Sequence, residues 1–169
     1  TIAKSKIPTI ALAHGFCIGG ATSLVSACDI RLATKDAKFS IGETKLGLVA
    51  DVGVIQRMPK IVSSGDMNEL ALTGRIFDGE HAEKIRFVSK VYENSGDLFE
   101  AGEKLANEIS SNSKRIVQAT KEALEKSSNL TVDQGLEYAK LWSTSFLVSE
   151  DLREGVMAFL EKRDPKFNE

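Results

Sequence analysis

A chain of 169 residues, 42% hydrophobic and 27% charged, has the length and composition of one ordinary globular domain. Its 22 basic residues against 24 acidic ones give a formal charge of −2, which speaks against the basic footprint of a nucleic-acid binder. No apolar run approaches membrane-spanning length, and Cys17 and Cys28 are not spaced as a metal site. No nucleic-acid or membrane partner and no bound metal are therefore expected, and the two cysteines read as buried thiols in a reducing compartment. The opening "TIAKSKIPTIALAHG" places lysines ahead of an apolar stretch, as a signal peptide does. The stretch is short, contains Pro8 and runs straight into glycines, so that reading is set aside.

"IPTIALAHG" reads as a short buried strand opened by Pro8, and "ATSLVSACD" as a short helix after Gly19 and Gly20. "IRLATKDAKFSIGE" predicts two short strands around a polar turn at Lys35-Asp36. "VGVIQRMPKIV" reads as a helix ended by Pro59. In "SSGDMNELALTG", Ser64 is the expected N-cap and Gly74 the expected stop. "FDGEHAEKIRFVSKVYE" predicts a helix and then a strand. After Gly96 the character changes to four amphipathic helical patterns, "DLFEAGEKLANEISS", "KRIVQATKEALEKSS", "TVDQGLEYAKLWSTSFLVS" and "EDLREGVMAFLEKR". Asp97, Thr131 and Glu150 fall near helix starts, where hydroxyls and acids suit the exposed N–H groups.

Three features carry chemistry. "HGFCIGGATSL" joins an apolar run to a helix through Gly15, Gly19 and Gly20, leaving backbone N–H groups open at the helix start. A phosphate loop would need Lys-Ser or Lys-Thr after the last glycine, whereas Ala21-Thr22 stands here. The glycine spacing also fails the dinucleotide pattern, and no cation stands nearby. A polarised carbonyl at an oxyanion hole is the better fit. The other two features are acids among apolar or small residues, Glu43 in "SIGETKLG" and Asp51 in "GLVADVG", both suited to proton transfer. Each has a plainer alternative: Glu43 as the cap of a turn, and Asp51 as the cap of the helix "VGVIQRM".

The run "IPTIALAHGFCIGGATSLVSACDIRLATKDAKFSIGETKLGLVADVGVIQRMPKIV" and the ending "EGVMAFLEKRDPKF" resemble the crotonase, or enoyl-CoA hydratase/isomerase, superfamily. The resemblance implies an α/β fold: the C-terminal part of a spiral of ββα turns over residues 1–111, then a helical oligomerisation segment over 112–169 that builds homotrimers or dimers of trimers. It also implies that several early ββα turns, a second oxyanion donor and much of the CoA site belong to a part of the family fold preceding Thr1. The implied substrate is an acyl-CoA thioester. No separate cofactor is implied, since coenzyme A is part of that substrate. The implied compartment is the cytoplasm, or a mitochondrial or peroxisomal matrix.

Carried over residue by residue, the Gly20 N–H resembles one donor to the thioester oxygen, with Gly19 beside it in the substrate site. Glu43 matches an acid of hydratases and some isomerases. Asp51 matches a position that is acidic in dienoyl-CoA isomerases and some enoyl-CoA isomerases, and glycine in typical hydratases. Phe159 and Lys162 match positions near the CoA adenine, with helix core and solvated charge as their plainer readings. Trp142 and Phe146, at i and i+4, read as core or trimer contacts.

Ser23 departs from the pattern, since hydratases carry a second glutamate there and dienoyl-CoA isomerases an aspartate. Hydration needs water oriented, deprotonated and its proton delivered, which suits a facing pair of acids. Moving a double bond needs only a base, a stabilised enolate oxygen and a site for the returning proton. The expectation is therefore an enoyl-CoA or dienoyl-CoA isomerase, with Glu43 and Asp51 as proton shuttles and hydration as the alternative. Two other classes compete. Clp-type proteases share the spiral fold, but Ser23 as nucleophile would need His14 or His81 as base. A CoA-binding or assembly protein that kept the fold without the chemistry is the third reading.

Overall fold

The computed structural model describes residues 2–167. Strand β1 (Ile10–Ala13) begins two residues after Pro8, and its neighbour in the sheet is set by a staple at its start. The Thr9 N–H and hydroxyl both donate to Asp29 Oδ2, at 2.7 and 2.8 Å, while the Asp29 and Ile30 N–H groups donate back to the Thr9 carbonyl. That staple fixes β1 parallel to β3 (Ile30–Thr34), with Ile10 opposite Ile30 and Ala13 opposite Ala33. Strand β6 (Lys90–Tyr92) adds on the far side of β3, also parallel, giving a sheet in the order β1-β3-β6.

A second sheet holds β2 (Phe16–Ile18), β4 (Lys38–Ser40) and β5 (Phe77–Asp78), with β2 parallel and β5 antiparallel to β4. The chain thus visits one sheet and then the other before α1 (Gly20–Ser26), and again before α2 (Val54–Arg57). β1 and β2 precede α1. β3 and β4 precede a 3₁₀ turn (Gly42–Leu46), α2 and α3 (Ser64–Thr73). This is the expected spiral of ββα turns. Strand β2 is an addition to the sequence-based elements: only Cys17 of its three residues is buried, and flanking glycines mask so brief an alternation.

The core of this part is aromatic and aliphatic. Phe39 and Phe87 are fully buried and meet edge to face at 5.4 Å, with Phe77 stacked on Phe39 at 5.5 Å. Val54, Met58 and Leu70 complete it from α2, the 3₁₀ turn Met58–Lys60 and α3. The expected helix around "VGVIQRMPKIV" is therefore a single α turn, and Pro59 sits inside the 3₁₀ turn, where its missing N–H costs nothing. Helix α3 is capped by Ser63, whose hydroxyl accepts from the Asp66 N–H at 3.1 Å, rather than by Ser64. Gly74 ends it in the left-handed conformation, as expected. In α4 (Gly79–Lys84) a glycine leads because a Cβ there would collide with the Thr34 carbonyl.

The chain divides into two units, one of the N-terminal residues through Ser5 with Thr9–Lys104, the other of Lys6–Pro8 with the residues from Leu105 onward. The division falls inside α5 (Ser95–Ser110). The second unit is helical: α6 (Lys114–Ser127), α7 (Val132–Phe146) and α8 (Glu150–Glu161). Ser113, Thr131 and Ser149 cap these three, and Thr131 with Gln134 completes a capping box. The Ser113 hydroxyl also donates to Asp151 Oδ2 at 2.7 Å, tying the starts of α6 and α8. Trp142 and Phe146 stack at 5.8 Å and line an apolar cavity of about 830 Å³ with Ile116, Val156 and Phe159.

Candidate active site

Strands β2 and β4 end side by side, and one hydroxyl locks the start of α1 against both. Thr22 is fully buried in the first turn of α1, where its Oγ1 donates to the Cys17 carbonyl and accepts from the Ser40 N–H at 3.3 Å. The Gly19 N–H donates to the Ser40 carbonyl at 2.8 Å. Glycine is required at position 19 for two reasons. Its φ is 57° with ψ −115°, and a Cβ there would lie 3.3 Å from Glu43 Oε1. The Glu43 carboxylate, carried by the 3₁₀ turn after β4, is thereby held against the start of α1.

The first helical bond of α1 runs from the Ser23 N–H to the Gly19 carbonyl at 3.0 Å, so the N–H groups of Gly20, Ala21 and Thr22 have no acceptor within the helix. Gly20 is exposed, and apart from its chain neighbours and its own helix backbone no described atom lies within 4 Å of where a Cβ would stand. Glu43 Oε2 is buried and, among the described residues, has no hydrogen-bond partner. An open amide donor and an unpaired carboxylate oxygen thus flank the same glycine pair. This arrangement can hold an oxygen on the amide while a proton moves at a neighbouring carbon. The turn-capping alternative for Glu43 does not hold, since no side-chain bond caps this turn.

Ser23 lies one helical turn beyond Gly19, fully buried, with its hydroxyl unpaired among the described residues. No histidine hydrogen-bonds to it: His14 is exposed and packs on Phe99, and His81 packs on Phe77. The nucleophile reading therefore has no base. Asp51 is exposed, contrary to the apolar surroundings expected from its neighbours. Ala50 and Val54 turn into the core, whereas Leu48, Val49 and Val52 on either side remain at the surface. Asp51 does not cap α2, whose N-cap is Gly53 without a side-chain bond.

Structure and sequence part most clearly at Arg57, the last residue of α2. Its Nη2 donates to the Val52 carbonyl at 2.7 Å and to the Ser23 carbonyl at 3.2 Å, and its Nε to Ser26 Oγ at 3.2 Å. The loop bearing Asp51 is thus tied to the helix bearing Gly20 and Ser23. The only local signal is a cation in the largely apolar "VIQRMP". Phe159 and Lys162 belong to the second unit. Phe159 is 83% exposed, which removes its helix-core reading, and Lys162 closes α8 in the left-handed conformation at φ 53°. Cys17 is buried, which pushes its thiol pKa up, and Cys28 is half-buried, less than its sequence context suggests. Among the described residues no cluster of His, Cys, Asp and Glu could hold a metal, and no helix is long and apolar enough to cross a membrane.

The model of the enoyl-CoA hydratase/isomerase family matches residues 1–169. The chain is 49% identical over 166 residues to a mitochondrial Delta(3,5)-Delta(2,4)-dienoyl-CoA isomerase of Dictyostelium discoideum, covering 98% of this chain and 57% of that protein. Its identity to the peroxisomal Delta(3,5)-Delta(2,4)-dienoyl-CoA isomerase of Arabidopsis thaliana is 43%, covering 98% and 60%. Among solved structures, an enoyl-CoA hydratase of Mycobacterium tuberculosis superposes with a TM-score of 0.89 at 34% identity, over 96% of this chain and 64% of that one. The chain thus spans little more than half the length of the two isomerases. From its first ββα turn to its last helix, the chain belongs to the enoyl-CoA hydratase/isomerase family.

Proposed function

We propose that the protein moves a double bond within an enoyl-CoA or dienoyl-CoA thioester. The observation that carries this reading is the unpaired, buried Glu43 Oε2 beside the open Gly19-Gly20 helix start. The thioester oxygen accepts from the Gly20 N–H, which stabilises the negative charge that develops when a proton leaves C2. In a 3,5-dienoyl thioester that charge delocalises along the chain, and the proton returns at C6 to give the 2,4-diene. Glu43 and Asp51 serve the two ends of this conjugated system. A serine hydroxyl neither takes up nor gives up a proton readily at neutral pH, so Ser23 does not supply the second acid that two-acid hydration, the alternative reading, needs. Likeness to relatives named as dienoyl-CoA isomerases supports the same choice.

Gly19 and Ser23 contact the acyl thioester in this reading, and Phe159 and Lys162 contact the CoA nucleotide. The helical segment 112–169 assembles a homotrimer or a dimer of trimers. The exposed apolar residues Leu124, Leu136, Leu141 and Val148 support that assembly. Coenzyme A enters as part of the substrate and no other cofactor takes part. The compartment is the cytoplasm, or the mitochondrial or peroxisomal matrix, and the names of the two isomerases, one mitochondrial and one peroxisomal, support the latter.

The test is the turnover of Glu43→Gln and Asp51→Asn on 3-enoyl-CoA and 3,5-dienoyl-CoA. Loss of a positioned acid or base lowers kcat by about 10²–10⁴-fold. Glu43→Gln is expected to do so on both substrates, and Asp51→Asn at least on the diene. Unchanged turnover in both variants contradicts the assignment.

A further inference from the structure

We propose that Arg57 is a positioning residue for the reaction, fixing the Asp51 loop against α1. The inference rests on the isomerase reading, because it concerns the placement of one of the two acids. Residues 49–52 carry no regular secondary structure. Ala50 anchors the stretch through its buried side chain, and its polar anchor is the Val52 carbonyl, which accepts from Arg57 Nη2 at 2.7 Å. Among the described residues nothing hydrogen-bonds or ion-pairs with the Asp51 carboxylate itself. Its position is therefore set by its backbone.

The other arms of the guanidinium reach α1. The Ser23 carbonyl belongs to the last turn of that helix, and the Ala27 N–H goes to the Leu24 carbonyl instead. Two donors take its place: Arg57 Nη2 at 3.2 Å and Ser26 Oγ at 2.7 Å, and Arg57 Nε also donates to Ser26 Oγ. A cation is favourable at that helix end. Gly53 makes room for the fork: it adopts φ 99°, and a Cβ there would stand 2.7 Å from Arg57 Nη2 and 2.8 Å from Cζ. One planar group thus spans two segments whose functional residues are Ser23 and Asp51. A lysine ammonium, a point donor on a flexible stem, cannot reproduce the three directed bonds.

The test compares wild type, Arg57→Lys, Arg57→Ala, Asp51→Asn and the double variant Arg57→Ala/Asp51→Asn on 3,5-dienoyl-CoA, with hydrogen exchange of residues 48–53 measured in parallel. Misplacing a reacting group by about 1 Å costs up to 10²-fold in rate. Arg57→Ala is expected to lower kcat by about tenfold to 10²-fold with KM changed by less than about threefold, and Arg57→Lys to restore only part of it. In the Asp51→Asn background the same substitution is expected to cost less than about threefold, because the group it positions is already gone. A general loss of stability would instead lower activity equally in both backgrounds, and that result overturns the proposal, as does wild-type turnover in Arg57→Ala. If Arg57→Ala does not fold, Arg57→Lys carries the same cycle. If the wild type does not isomerise the diene, the isomerase reading fails on that result alone. Exchange in 48–53 then still decides whether Arg57 holds the loop: faster exchange in the variant supports it, and unchanged exchange refutes it.

Discussion

Ser23, which in the proposed reading separates isomerisation from hydration, also costs the fold something. Its hydroxyl is buried without a partner, and a buried unpaired hydroxyl is a stability penalty. Ser23→Ala is therefore expected to leave stability unchanged or raise it by about 1 kcal/mol in chemical denaturation. If the hydroxyl contacts bound substrate, the same variant raises KM about fivefold, the worth of one neutral hydrogen bond. A destabilised variant with unchanged KM contradicts that role. At this scale the sequence is legible wherever the cause is local. Gly19 stands out because the turn into a helix invites glycine, and Glu43 because it leads directly from a strand into a turn. Arg57 does not stand out, because its acceptors lie as far as 34 residues away, and only the fold brings Ser23 and Val52 to the same cation.

Among the elements, helix caps are the most readable feature, since a hydroxyl before an amphipathic run acts within one turn. Thr131 lies where its sequence context places it, while the α3 cap shifts by one residue to Ser63. The end of α8 depends on a contact that spacing does not reveal. Glu154 takes both Nη groups of Arg163, at 2.5 and 3.0 Å, and accepts the Lys166 N–H at 2.7 Å, which fastens the tail after the Lys162 turn. The Arg163 hydrogen bonds, and after them that from Lys166, pull the Glu154 pKa from its ordinary 4.5 down to about 2. A depressed carboxylate pKa stabilises the folded form above the ordinary value, so this clamp is intact above pH 4.5 and is lost as pH falls toward 2. The Lys166 amide proton, monitored by NMR, is expected to titrate with a midpoint near 2. A midpoint near 4.5 would show that the clamp does not form.

For the whole molecule, the alternation of strands between two sheets is legible only through resemblance, because strands of two to five residues carry too little periodicity of their own. The helical segment reads differently: its patterns are plain, yet much of its apolar surface stays exposed, including Val148 at 95% and Phe159 at 83%. Amphipathic faces left open in this way favour assembly. Sedimentation is expected to give a trimer or hexamer, and a monomer across the working concentration range contradicts the assembly. With Ser23 where hydratases have an acid, the proposed site suits shifting a double bond rather than adding water across one. The decisive comparison sets the wild-type rate of 3,5-dienoyl-CoA isomerisation beside that of 2-enoyl-CoA hydration under the same conditions. Isomerisation is expected to be faster by about 10²-fold or more, the worth of one missing acid. Hydration at an equal or greater rate would contradict the isomerase assignment.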